Sequence, residues 1–419
     1  MILYEPEVPS SSRWRRSLRQ IDWTLLLLVS LALAFGLIAL YSATASSEMA
    51  HFFRRQLLYA ALGSGILLLV MWLPRSWLER LAPLGYIVGL LLLVAVLLFG
   101  RTVYGSKSWL SLGTLSFQPV EFAKLSTLLF VAHFLSREEQ SLRRLPSLLI
   151  TLALLGVPTA LVLLQPDAGS ALAFAALTLT VLFWGKAHPL LPLMPLLAGA
   201  VALLSLLGVA PLLLGILFSA ILIFLTRPPL LIAITCSVVL SVLGLGTSTL
   251  YHMLKPHQQA RIQSFLNPEE DPQGSGYHVI QSMLAIGSGG LMGKGFQQGT
   301  QTQLRFIPKQ WTDFIFCVPA EEFGFLGAML VLAVLFGLLW HVFLLAHRLE
   351  GDTFWSLLLG GIGGLWLFHT AINIGMSLGL APVIGLPLPF MSAGGSALLV
   401  NMAMAGLVLN AHRQLYRGR

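Results

Sequence analysis

Charge is what this sequence has least of. Asp, Glu, Lys and Arg make up 10% of its 419 residues, against about 25% in soluble domains. Hydrophobic residues reach 56% and the mean hydropathy is +0.83. A water-soluble fold of this length could not cover its exterior with so few polar groups. Disorder is excluded by the same composition, because disordered chains are poor in apolar residues and rich in charge. Cysteine is nearly absent as well. Cys236 and Cys317 both lie in apolar runs, so neither a disulfide framework nor a thiolate metal site can be built from them. The apolar blocks show no period-2 alternation, which excludes a transmembrane β-barrel. A nucleotide loop is also missing. The glycine-rich run from Gly287 to Gly295 would need Gly at Ser288 and Ser or Thr at Gly295 to be a P-loop. It reads as a bent loop, with a backbone nest for phosphate as the alternative.

What is present is a series of Leu-rich runs close to bilayer length. They fall at roughly 23–42, 56–73, 81–99, 120–136, 146–164, 170–185, 188–207, 211–226, 229–250, 314–340, 354–379 and 391–411. The fold class expected is all-α: a polytopic helical membrane protein with ten to twelve transmembrane helices in a single membrane domain over 1–419. Pro192, Pro195 and Pro211 leave open whether 188–226 is one hairpin or a pair of tilted helices. The basic stretch around Arg13 to Arg16 precedes a Leu run without a clear cleavage site, so it reads as the cytoplasmic tail (1–20) of an uncleaved first helix.

Orientation follows from the cations. With the N-terminus inside, 15 of the 25 Lys and Arg residues fall in inside loops and tails. Both termini are then expected in the cytoplasm. The pI of about 9.8 becomes a topology signal, and a nucleic-acid partner is not implied. The long stretch 251–313 lies outside and is expected to fold against the membrane surface.

Ionisable side chains cost about 3 kcal/mol or more near the centre of a transmembrane helix, so those at membrane depth mark functional candidates. Glu121 and Lys124 are spaced i, i+3 at a helix start. They are either a self-neutralising pair or a substrate contact. Trp109 stands shortly before them, either as an interfacial aromatic or as a site residue. Asp167 opens the next external turn, either as an N-cap or as a ligand. Asp313, with Arg305 and Lys309 close in sequence, enters an apolar segment from the outside. Glu321 follows, about 12 Å deeper if the segment is one helix. His341, His347 and His369 have no partners in sequence and read as structural or interfacial. Gly360 and Gly364 form a small-xxx-small pair for helix packing.

These polar groups share one side of the membrane and no internal energy source accompanies them. Two function classes fit: a transferase acting on a lipid-anchored, pre-energised substrate, and a transporter of lipid or polar solute.

Several ordered motifs carry a resemblance. They are Lys107-Ser108-Trp109, Gln118-Pro119-Val120-Glu121-Phe122-Ala123-Lys124, Gln165-Pro166-Asp167-Ala168-Gly169, Gly274-Ser275-Gly276-Tyr277-His278, Thr312-Asp313-Phe314-Ile315-Phe316, Glu321-Glu322-Phe323-Gly324 and Pro387-Leu388-Pro389-Phe390. Together they resemble the SEDS proteins (shape, elongation, division and sporulation), and the elongation branch more than the division branch. The resemblance implies a peptidoglycan glycosyltransferase that polymerises lipid II at the outer face of the bacterial inner membrane, with a class B penicillin-binding protein as partner. It implies Asp313 as the essential carboxylate. It places Trp109, Glu121, Lys124, Asp167 and Glu321 around a polar cavity.

The residues agree with that chemistry. An acceptor hydroxyl must lose its proton to a carboxylate as it attacks the anomeric carbon. Lys124, with Arg55, Arg305 or Lys309, would hold the departing pyrophosphate. No cofactor is required, although a divalent cation (Mg or Mn) bridging pyrophosphate and carboxylate is compatible with the scheme. A flippase for lipid II and a non-catalytic scaffold for the penicillin-binding protein remain the alternatives. Two features depart from the family pattern. Twelve spans are counted where about ten are expected, the excess mapping to 188–226. Trp311 stands where His is frequent, and Ala393 where Tyr is frequent.

Overall fold

The computed structural model describes residues 20–44, 49–103, 106–112, 115–137, 139–253, 259 and 275–417. Most of the tail 1–20, and 254–258 and 260–274 of the long loop, lie outside the described residues. The rest is a helical bundle, as lipid demands: a spanning segment must satisfy its backbone within itself.

Twelve long helices stand where the apolar runs predicted them, among the described residues. They are α1 (Trp23–Ala43), α2 (Ala50–Trp72), α3 (Arg75–Phe99), α4 (Pro119–Leu135), α5 (Leu145–Leu164), α6 (Ala168–Trp184), α7 (Leu190–Leu206), α8 (Val209–Leu225), α9 (Leu230–Met253), α13 (Gly324–Arg348), α14 (Thr353–Ser377) and α15 (Gly395–Arg417). Eight of them are long and apolar enough to cross a membrane, and α6, α7 and α8 are shorter apolar helices. The 188–226 region is two helices that turn at Gly208 (φ 128°) and pack with α9 into a separate apolar cluster of Leu190, Leu197, Ile223, Ala233 and Leu240.

Burial sorts the helices. Helix α14 is buried along nearly its whole length, between α4, α6 and α13. Its glycines make this close approach possible. Any Cβ on Gly360 would meet the Trp184 ring, and one on Gly364 would meet Thr180. The small-residue reading of that pair therefore holds. Outer helices such as α2, α3 and α8 turn rows of Leu to the lipid instead.

A small sheet and three further helices add to this frame. Strands β1 (Arg101–Val103), β2 (Ser106–Leu112) and β3 (Leu115–Phe117) form an antiparallel sheet in that order between α3 and α4. Helices α10 (Ser275–Ser288), α11 (Thr300–Gln303) and α12 (Cys317–Glu322) precede α13.

The expected span 314–340 needs correction. It is not one helix. α12 ends at Glu322, Gly324 takes φ 66°, and α13 runs on from there to Arg348. The break has a packing cause. A Cβ at Gly324 would strike the backbone of Leu291 and Gly293, because the glycine-rich run pairs with this segment. Lys294 and Gly295 donate N–H groups to the carbonyls of Glu321 and Glu322 at 3.1 and 2.9 Å. Phe325 and Leu326 donate back to Gly290 and Leu291. The run is thus a backbone clasp rather than a phosphate nest. The last helix likewise starts at 395, and 378–394 is a strap containing Pro382, Pro387 and Pro389. Proline lacks the N–H a helix would need there.

A polar cluster at one end of the bundle

Every segment that carries a candidate residue lies at the same end of the bundle. Helices α1, α3 and α5 end there, and α2, α4, α6 and α15 begin there. Cross-links join these ends. Gln310 donates to the carbonyls of Ala43 and Thr302 at 3.1 and 2.9 Å. The Gln118 N–H donates to Ser396 Oγ at 3.0 Å.

Asp313 sits in a turn before α12, not at the head of a continuous helix. Its carboxylate is 15% exposed, with Lys309 Nζ 4.0 Å from Oδ2. The strap closes over it. Gly385, at φ 74°, faces Oδ2 so closely that an added Cβ would lie 3.4 Å away. The backbone of this turn is fixed from three sides. Asn373 on α14 donates to the Asp313 carbonyl at 3.0 Å and the Leu386 carbonyl at 2.8 Å. Ser392 Oγ donates to the Thr312 carbonyl at 2.6 Å, and the Ala393 N–H to the Trp311 carbonyl at 2.9 Å. Trp311 stacks on Phe52 of α2 with centroids 5.2 Å apart. Where the family pattern often has His, this chain has an aromatic packing contact.

Lys124 and Glu121 pair within α4 at 2.9 Å, both almost wholly buried. The i, i+3 spacing thus does form an ion pair. One feature escaped the sequence: Lys124 Nζ also lies 3.2 Å from His369 Nε2, and His369 Nδ1 lies 3.2 Å from the Pro387 carbonyl. His369 and Asn373 are one turn apart on α14, and both grip the strap.

Asp167 caps α6 through the Ser170 N–H at 3.0 Å. It also accepts from Ser108 Oγ on β2 at 3.1 Å, which ties the sheet bearing half-buried Trp109 to the α5–α6 turn. Glu321 is fully buried. Its two oxygens accept from Lys294 Nζ at 2.7 Å, from Thr300 Oγ1, and from the N–H groups of Gln301 and Thr302 at 2.9 Å each. Burial opposes ionisation, but these donors outweigh it and hold the Glu321 carboxyl below the usual range. Its neighbour Glu322 accepts from Ser42 at the end of α1 and from Gln303, and burial pushes its carboxyl up.

The remaining cations stand nearer the surface. Arg55 is exposed on α2, one residue before Gln56, which bonds the strap at Ser392 and Gly394. Arg305 is exposed and Lys309 is 38% exposed, both with positive φ, on the turn leading to Asp313. Among the described residues no three His, Cys, Asp or Glu side chains are grouped to hold a metal ion.

A polytopic helical membrane protein with a buried cation–carboxylate pair and a cluster of polar side chains at one end is the class these features define. The family follows from comparison. Residues 22–211 and 184–417 match the FTSW_RODA_SPOVE cell cycle protein family, and the chain belongs to it. It is 36% identical over 394 residues to the peptidoglycan glycosyltransferase MrdB of Escherichia coli K12, covering 94% of this chain and 93% of that one. It is 33% identical to the peptidoglycan glycosyltransferase RodA of Treponema pallidum, covering 96% and 99%. A chain from a peptidoglycan synthase complex that coordinates polymerisation and crosslinking superposes with a TM-score of 0.70 at 33% identity, covering 95% of this chain and 99% of that one. Relatives named FtsW also match, for example at 33% identity in Thiomicrospira cyclica over 95% of this chain and 93% of that one.

Proposed function

We propose that this end of the bundle polymerises lipid II into glycan strands at the outer face of the bacterial inner membrane, in cell elongation. The enzyme class rests on the relatives named peptidoglycan glycosyltransferase. The chemistry rests on one observation above all. Asp313 is a partly buried carboxylate, 15% exposed, on a turn fixed from three sides, with a cation at 4.0 Å.

The acceptor hydroxyl gives its proton to the Asp313 carboxylate as its oxygen bonds to the anomeric carbon of the donor. The bond from that carbon to the lipid diphosphate breaks, and the electron pair leaves on the diphosphate. Lys309, Arg305 and Arg55 are accessible cations and receive the diphosphate charge. Lys124 is buried in its pair with Glu121 and acts from below, through the strap. Trp109 faces the sugar chain from the sheet that Asp167 anchors. Glu321 keeps the 294–302 loop in place beside the turn. A divalent cation, if the reaction takes one, would be held by the substrate diphosphate together with the Asp313 carboxylate and would offset the charge that develops on the diphosphate. A class B penicillin-binding protein receives the strand, a pairing supported by the likeness to a synthase complex. Both termini are then cytoplasmic, as the cation distribution requires.

The test is polymerisation of lipid II by the purified chain with its transpeptidase partner. Asp313→Asn should abolish glycan strands while leaving the protein monodisperse. Near-normal strands from that variant would remove Asp313 as the base. Lipid II translocation into vesicles with no polymer would make the chain a transporter, and an active complex with the Asp313 variant would make it a scaffold.

A further inference from the structure

Lys124 and Asp313 belong to different elements, α4 and the turn before α12, yet one short piece of strap lies between them. On one side, Gly385 faces the Asp313 carboxylate. On the other, the Pro387 carbonyl faces His369, which faces Lys124. Asn373 ties the intervening Leu386 carbonyl to the Asp313 backbone. The hydrogen-bond chemistry fixes the tautomer. A carbonyl only accepts, so His369 Nδ1 must carry the proton given to Pro387. Its Nε2 is then a lone pair, which accepts a hydrogen bond from the Lys124 ammonium. A protonated ring would offer no lone pair and would set two cations 3.2 Å apart.

We propose that neutral His369 is a positioning residue for the transferase reaction. Resting on the function assigned above, it couples the buried Lys124–Glu121 pair to the 385–387 backbone that seats Asp313. The residue does not reach the reacting sugars. It is 7% exposed and both ring nitrogens are engaged within the chain. Its work is to keep the strap at one height between a buried cation and the catalytic carboxylate. Asn373, one turn along α14, does the same for the next carbonyl. A displacement of about 1 Å at a reacting group is enough to cost about 100-fold in rate. Pro387 and Pro389 supply no N–H, so the Leu386 and Pro387 carbonyls and the Leu388 N–H, which donates to Ser392 Oγ at 2.8 Å, carry the polar ties at this point of the strap.

The test uses the full chain with its transpeptidase partner and lipid II. His369→Ala should lower kcat about 100-fold while KM for lipid II stays within about threefold. His369→Asn places an amide N–H near the position of Nδ1 and should recover about tenfold of that loss. A kcat in the Ala variant within about threefold of wild type would overturn the inference, as would equal loss in the Ala and Asn variants. Hydrogen exchange gives a readout independent of activity. Exchange across 382–393 should rise in His369→Ala and fall back in His369→Asn, with α5 and α6 unchanged. Unaltered exchange in the strap overturns the coupling whatever the activity does. A wild-type chain that makes no polymer would instead overturn the transferase reading, and exchange would still decide the role of His369.

Discussion

Asn373 holds Asp313 by its backbone, not by its carboxylate: the side-chain amide donates to the Asp313 carbonyl at 3.0 Å. The same amide donates to Leu386 at 2.8 Å, so one side chain satisfies two carbonyls from two segments. The turn is thus fixed through its backbone carbonyl, without drawing on the carboxylate oxygens. Leaving a buried polar group unpaired costs about 1–3 kcal/mol. Asn373→Ala should therefore lower the thermal midpoint in detergent and reduce polymerisation together. Asn373→Gln, too long by one methylene, should fold better than the Ala variant but remain impaired. A polymerising, fully stable Asn373→Ala protein would show that the turn is held elsewhere.

Gly385 provides a sharper test of the seat beneath Asp313. Its φ of 74° is left-handed, where a residue with a Cβ is strained by about 1–2 kcal/mol. Its would-be Cβ lies 3.4 Å from the Asp313 Oδ2, in ordinary contact. Gly385→Ala should thus cost backbone strain and set a methyl group beside the carboxylate. Polymerisation should fall, yet less than in Asp313→Asn, because the base remains. Lipid II turnover measured side by side for the two variants checks the order.

The Lys124–Glu121 pair behaves differently when broken than when removed. Each residue is buried among apolar neighbours, and removing one partner strands the other charge. The cost of such stranding is about 3–5 kcal/mol. Lys124→Met alone should therefore destabilise strongly. Lys124→Met with Glu121→Leu should recover much of the thermal midpoint, because no charge remains buried. Thermal midpoints of the two singles and the double form the cycle that checks it. Activity should not return in the double variant, since His369 Nε2 would lose its hydrogen-bond donor.

How much of this was legible in the sequence differs between fold and site. Lipid forces long uninterrupted apolar runs, so twelve helices could be placed from composition alone. The segment 314–340 failed because Phe314 to Val318 is as apolar as a span. What stops the helix is Gly324 packed against Gly293, a contact between residues 31 positions apart that no periodicity announces. Glu121, Lys124 and Asp313 stood out because an ionisable group in an apolar run is costly. His369 did not, for its partner Lys124 is 245 positions away. Spacing on α14 held a faint signal: His369 and Asn373 are i, i+4, two polar groups on one face of a helix otherwise rich in Leu and Gly.

The opposite end of the bundle carries a pH dependence with a defined sign. Asp22 caps α1 through the Leu25 N–H at 3.1 Å and faces His341 of α13 and, at 3.8 Å, His412 of α15. Three helices therefore meet at one buried carboxylate. Burial opposes its charge, but the hydrogen bonds from His341 and the Leu25 N–H prevail and hold its carboxyl below the ordinary 3.8. A folded-state value below the unfolded one stabilises the fold above 3.8 and loses that contribution as pH falls through the lower value. Asn is also a good N-cap, so Asp22→Asn removes the charge while keeping the cap. At neutral pH this variant should melt below wild type, and the gap should close as pH is taken below 3.8. Asp22→Ala should melt lower still, by the loss of the cap, worth about 1 kcal/mol. A gap between wild type and Asp22→Asn that widens on acidification would mean that the carboxyl is raised in the fold, and that the tie to His341 does not carry the charge.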